Sequence, residues 1–445
     1  MIPSILAREV RRGVEDYIRT TFPVTSPFFN GVLEEFLRRE NGLFRGPFIF
    51  LGLPFSPGKG EGEFFPEVPL GYPPYLHQEK AFARMAHPRG RSTVIATGTG
   101  SGKTECFLWP VLDYCLKHRG RRGIKAIFIY PMNALASDQA QRTARAIWDN
   151  PELKERVTAG LYVGHDPEDA LDQPVKAMER DKVITCRYTL RENPPDILLT
   201  NYKMLDFLLL RPADRELWRY NTPDTLKYLV VDELHTFDGA QGTDLSCLLR
   251  RLKSRLDIPS GHLCCVGTSA TLGEKERASE VLGYAASVFG ERFDADALVT
   301  EERLSAGEFL ENDMAVRFDL PGPEASGGLD PEFFDSPLDY LERQAFLWFG
   351  GEGRRKDGES GDEWRVRLGT LLRGHVFFQN FLKVLGGRPM EYSDLLGRLV
   401  KVAPRLGEGE DASYAPLVLD SLLSLVSHAR KQEEGRLRPL VTVQV

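Results

Sequence analysis

The chain has 445 residues, of which 42% are apolar and 27% charged, and a formal net charge of −7. That length accommodates two or three domains, each able to bury its own core, and the composition is close to that of ordinary soluble globular protein. No apolar run approaches the roughly 20 residues of a membrane span. The N-terminal stretch has no apolar core followed by a small-residue cleavage site. The six cysteines, Cys106, Cys115, Cys186, Cys247, Cys264 and Cys265, form no CxxC pair. Membrane insertion, a secretory signal, a zinc site and a disulfide framework are therefore not expected, and buried thiols in a reducing cytoplasm are. The acidic balance argues mildly against a nucleic-acid partner, so any such contact has to be local, made by backbone amides, short polar side chains and a few basic residues.

In chain order, residues 1–74 read as a separate N-terminal element. Helical spacing at Val10–Arg19 and Gly31–Arg39 is interrupted by Pro23 and Pro27, and a run dense in Pro, Gly and Phe follows as an irregular connector. From 75 to 290, short β-branched apolar runs at 92–97, 126–131, 196–201, 228–233 and 264–270 alternate with helical stretches such as Thr104–His118 and Ala134–Trp148. Buried strands alternating with helices predict an α/β domain, a parallel sheet covered on both faces. In such sheets ligands bind at the carboxyl ends of the strands. Residues 291–445 read as a mainly helical accessory region. Helices are expected at Leu338–Phe349, Arg365–Leu385, Tyr392–Val402 and Ala415–Gln432, with 292–335 and 351–363 acidic, Gly-rich and loop-like.

Three motifs fall at the predicted strand ends. Thr97, Gly98, Thr99, Gly100, Ser101, Gly102, Lys103 and Thr104 lie directly after one strand and directly before a helix. Glycines there let successive amides curl around phosphate oxygens, with the positive end of the helix dipole behind them. Lys103 would reach the β- and γ-phosphates and Thr104 would offer its hydroxyl to Mg2+. Thr97 stands where the general P-loop pattern has glycine. On a later strand, Asp232 would hold Mg2+, Glu233 would position or deprotonate the attacking water, and His235 closes the motif. In the third motif, Gly267-Thr268-Ser269-Ala270-Thr271-Leu272, the hydroxyls, those of Ser269 and Thr271 among them, can hydrogen-bond the acid loop and couple it to the nucleotide, or form an ordinary Ser/Thr turn.

The three motifs, in this order, resemble those of superfamily 2 DExH-type helicases: Thr97–Thr104 as motif I, Asp232–His235 as motif II and Ser269–Thr271 as motif III. The helicase form of motif I commonly carries a small residue at the Thr97 position. The resemblance implies a RecA-like P-loop NTPase fold, ATP and Mg2+ as cofactors and a nucleic-acid partner. It extends to Tyr130–Leu135, containing Pro131 and Asn133, with Asp138 and Gln139, as motif Ia, and to Thr200, Asn201 and Tyr202, with Met204 and Leu205, as motif Ib, which in the family grip the sugar-phosphate backbone. Gln78, in Leu76-His77-Gln78, sits where the family has its Q-like motif; its amide can pair with adenine or simply cap a helix. The stretches YPMNALASDQ, PPDILLTNYKMLD and DELHTFDGAQGTDLSCLLRRL are similar to the large bacterial helicases of the Lhr and MrfA lineage, a group that includes DISARM and Druantia antiphage helicases. This implies DNA, antiphage defence or repair, and defence-system protein partners.

Superfamily 2 motors bind ATP between two RecA-like domains, and the second supplies arginine fingers. No stretch of the Q-x-x-G-R-x-x-R type occurs between 290 and 445. The chain is therefore expected to be the motor half of a longer polypeptide, and weakly active alone. Two other readings stay open: a P-loop kinase or GTPase-like switch, against which the absence of an N-K-x-D box counts, and a nucleic-acid-binding scaffold with a vestigial nucleotide site.

Overall fold

The computed structural model describes residues 3–444 except 40–42, 45, 61–63, 89, 99, 165–173, 271–277, 408–412 and 434–435. It divides into two compact units, Phe55–Glu302 and a second one formed by Met1–Pro54 with Arg303–Val445.

In the Phe55–Glu302 unit the strands are β1 (Thr93–Ala96), β2 (Ala126–Tyr130), β3 (Ala159–Tyr162), β4 (Ile197–Asn201), β5 (Tyr228–Val231), β6 (Cys264–Ser269) and β7 (Leu298–Thr300). The helices are α1 (Leu76–Met85), α2 (Lys103–Lys117), α3 (Asn133–Trp148), α4 (Arg187–Glu192), α5 (Tyr202–Leu210), α6 (Gly239–Arg255) and α7 (Ala278–Phe289). Among the described residues the strands form one seven-stranded sheet in the order β3-β4-β2-β5-β6-β1-β7, every pairing parallel.

The period-2 alternation of β-strands sorts adjacent side chains to opposite faces. Ile127 and Ile129 of β2 pack with Leu205 and Leu208 of α5 and Leu245 and Leu249 of α6. Ala126, Phe128 and Tyr130 of the same strand pack with Phe82 of α1, Phe107 and Val111 of α2 and Ala140 of α3. Each of the Ile, Leu, Val and Phe side chains among these contributes about 1.5–3 kcal/mol of burial, so both helical layers are held to the sheet by apolar area.

The five predicted strands are present, and β3 and β7 join them. Neither carries a strong signal: β3 reads Ala-Gly-Leu-Tyr, and β7 is three residues long within a stretch whose composition predicts loop. Both gain their hydrogen bonds from a neighbouring parallel strand, which no local pattern announces.

In the other unit, Phe48–Gly52, inside the predicted irregular connector, pairs antiparallel with Thr442–Gln444 and with Met390–Glu391. The helix expected over Arg365–Leu385 is two, Gly361–Arg373 and Val376–Leu385, because the His375 side chain accepts from Phe377 N and starts the second. The helix expected to reach Gln432 ends at His428, since Arg430–Glu433 forms a hairpin with Arg436–Pro439. Trp348, Trp364, Phe378 and Leu422 sit in this unit's core. Cys106, Cys115, Cys264 and Cys265 are buried as expected, whereas Cys186 is half-buried and Cys247 exposed.

Candidate nucleotide site

The register of the sheet assembles the site. Strand β6 lies between β1 and β5, with Ala96 beside Ser269 and Val231 beside Gly267. The phosphate-type loop after β1 and the acid pair after β5 therefore emerge at one edge, on either side of the Thr268–Ser269 segment. Thr97 N donates to the Ser269 carbonyl at 3.2 Å, which ties the start of the loop to the end of β6.

Gly100 and Gly102 adopt φ of 80° and 77°, the left-handed region that glycine enters without strain. Gly102 caps α2, whose first residue is Lys103. Three hydrogen bonds hold described groups of the loop. His77 Nε2 donates to the Ser101 carbonyl at 2.9 Å, Gln78 Nε2 to the Gly102 carbonyl at 3.2 Å, and Ser101 Oγ to Thr97 Oγ1 at 2.8 Å. Gln78 Oε1 also accepts from Tyr75 N at 2.9 Å, capping the start of α1. The buried Gln78 amide thus joins helix start to loop, the capping alternative of the two sequence readings. Thr99 lies outside the described residues.

Across the edge, Lys103 Nζ stands 3.4 Å from Glu233 Oε1. Glu233 adopts φ 49°, ψ 48°, a left-handed conformation costing a non-glycine residue roughly 1–2 kcal/mol. Thr268, fully buried, offsets it: its Oγ1 accepts from Glu233 N at 3.0 Å and donates to Asp232 Oδ1. Burial pushes the Asp232 carboxyl above its ordinary range, and the Thr268 hydrogen bond partly opposes this. A nearby cation would reverse the shift, because it favours the charged form. His235 Nδ1 lies 3.2 Å from Ser269 Oγ and 3.3 Å from Glu233 Oε2, bridging the second and third motifs. Thr271 lies outside the described residues. Thr104 Oγ1 donates to Gln139 Oε1 at 3.3 Å.

Pro131, Asn133, Asn201 and Tyr202 cluster at the ends of the neighbouring strands β2 and β4, where Tyr130 pairs with Asn201. Asn201 Nδ2 donates to Asn133 Oδ1 at 2.5 Å, and Asn201 Oδ1 caps α5 by accepting from Met204 N at 2.6 Å. Asn133 is exposed; Pro131, Asn201 and Tyr202 are half-buried. Thr200 is buried instead, its hydroxyl donating to the Tyr162 carbonyl at 2.6 Å, so it braces the strand end from within.

The sequence places Thr268 among hydroxyls able to reach the acid loop and Gln139 beside motif Ia, without naming the partner of either. Thr268 was reachable by counting register, since Val231 beside Gly267 puts Asp232 level with Thr268. Thr268→Val keeps the shape but strands a buried carboxylate oxygen and a backbone N–H, a loss of about 1–3 kcal/mol. Denaturant unfolding should show that loss, and magnesium-nucleotide affinity should fall roughly tenfold, a drop of about 1.4 kcal/mol. Thr268→Ser should restore both. Unchanged unfolding and binding in Thr268→Val would remove the hydroxyl from the site.

A family model, DEAD/DEAH box helicase, matches residues 75–279. The chain is 25% identical over 460 residues to the Druantia protein DruE of Escherichia coli, covering 82% of this chain and 24% of that protein. It is 29% identical over 208 residues to the uncharacterized ATP-dependent helicase YprA of Bacillus subtilis, covering 47% of this chain and 24% of that one. A crystal structure of the DUF1998 helicase MrfA bound to DNA and AMPPNP aligns at 21% identity and a TM-score of 0.43, over 68% of this chain and 41% of that one. The chain spans about a quarter of the length of these two curated relatives. The motifs, the strand order that brings them together and the family match agree in making residues 75–279 similar to the DEAD/DEAH box helicase domain.

Proposed function

We propose that this chain is the ATP-binding motor half of a nucleic-acid helicase or translocase, with DNA as the favoured track, and that a second RecA-like domain in a longer polypeptide completes it. The observation that carries the reading is the placement of Lys103 3.4 Å from Glu233, with Asp232 held beside them by Thr268. One nucleotide can then meet the loop amides, the ammonium and both acids together.

The loop amides and Lys103 bind the phosphates, and Glu233 accepts the proton of the attacking water. A hydroxyl and a carboxylate, oxygen donors only, suit a hard divalent ion; Thr104 and Asp232 would hold Mg2+. When bound, it supplies charge neutralisation at the phosphates. His235 and Ser269 link the acid loop to the end of β6, a route by which the phosphate state reaches the third motif. Pro131, Asn133, Asn201 and Tyr202 offer a polar edge to a sugar-phosphate backbone, with Thr200 supporting it from below.

Among the described residues no helix is long and apolar enough to cross a membrane, and a cytoplasmic setting fits this reading. Antiphage defence or DNA repair, with defence-system proteins as partners, are the settings implied by the sequence resemblance and supported by the similarity to DruE. The polypeptide carrying this chain should hydrolyse ATP in preference to GTP, faster with single-stranded DNA present. Equal use of both nucleotides with no response to DNA would favour the switch reading. Nucleic-acid binding without any nucleotide binding would favour the scaffold.

A further inference from the structure

Glu301 is the first residue after β7, on a segment beyond the family match. Its Oε2 accepts a hydrogen bond from Gly98 N at 2.6 Å. The parallel pairing of β7 with β1 sets Thr300 beside Ala96, so the acid stands where the loop leaves the sheet. A Cβ on Gly98 would lie 3.0 Å from Oε2, a close approach that glycine permits.

This contact completes a pattern. The carbonyls of Ser101 and Gly102 are held by His77 and Gln78, and the hydroxyls of Thr97 and Ser101 by each other. The amide of Gly98, at the entrance, is held by a carboxylate, an acceptor roughly twice as strong as a neutral one. With both ends of the turn fixed, the amides that open α2 keep one orientation, and these are donors for which a helix supplies no internal acceptor.

We propose that Glu301 is a positioning residue for the phosphate loop, anchoring Gly98 so that the amides opening α2 stay directed at the triphosphate. The proposal rests on the nucleotide reading above. The same geometry admits an opposite effect, since a carboxylate close to a polyanion repels it, and the two differ in sign.

Binding of a fluorescent ATP analogue with magnesium, followed by anisotropy, separates them. Glu301→Met, similar in length but lacking an oxygen acceptor, should weaken binding about fivefold to thirtyfold. Glu301→Gln, whose amide oxygen still accepts from Gly98, should stay within about twofold of wild type. Unchanged or tighter binding in Glu301→Met overturns the proposal, as does equal weakening in both variants, because the loss would then not follow the acceptor. If Glu301→Met does not fold, Glu301→Ala takes its place in the comparison; if neither folds, the residue holds the fold rather than the loop and the proposal falls. Lys103→Ala is the control. Wild type and Lys103→Ala both failing to bind sinks the nucleotide reading and this proposal with it. Loss in Lys103→Ala with Glu301→Met intact sinks this proposal alone.

Discussion

Glu233→Gln is expected to cut ATP hydrolysis by about 10²–10⁴-fold, the range for removing a general base, while ATP still binds. The substitution keeps the side chain's size and the Glu233 N to Thr268 Oγ1 hydrogen bond of 3.0 Å, so the backbone should retain its left-handed turn. What disappears is the proton acceptor, together with the charge 3.4 Å from Lys103. Single-turnover hydrolysis and nucleotide affinity, measured on the polypeptide that carries this chain, distinguish the consequences. Hydrolysis within about threefold of wild type would assign the base to another residue.

Lys103→Ala is expected to act at the other end of the same pair, losing nucleotide binding by about 30-fold or more. A hydrogen bond between charged groups contributes roughly 1.5–3 kcal/mol, and the partly buried position of Lys103 raises its effect on a polyanion. Titration calorimetry with a non-hydrolysable ATP analogue reads this directly. Because Lys103 and Glu233 are neighbours, Lys103→Ala combined with Glu233→Gln should depart from additivity. Purely additive losses would mean that the two side chains do not share one nucleotide.

The parts of this site legible in the sequence are those contiguous along the chain. Thr97–Thr104 and Asp232–His235 announce themselves because a turn that wraps phosphate and a strand end that presents two acids each need adjacent residues. The parallel sheet was legible for a related reason, since β2 and β5 are near-continuous apolar runs buried on both faces. The individual partners in contacts made across the sheet were not. Thr268 reaches Asp232 through strand register, Gln139 reaches Thr104 from a neighbouring helix, and Glu301 reaches Gly98 from a strand of three residues. The pairing of Phe48–Gly52 with Thr442–Gln444 joins opposite ends of the chain, and no window of local pattern contains both.

Gly102 has a consequence for how such a sequence can drift. A methyl group added there would lie 2.3 Å from Gln78 Nε2, and Gln78 is buried and bonded at both ends of its amide, so it has little room to withdraw. What can stand at 102 is thereby limited by what stands at 78. A larger residue at 102 is admitted only where Gln78 gives way at the same step, and the left-handed backbone at 102 closes most of those paths.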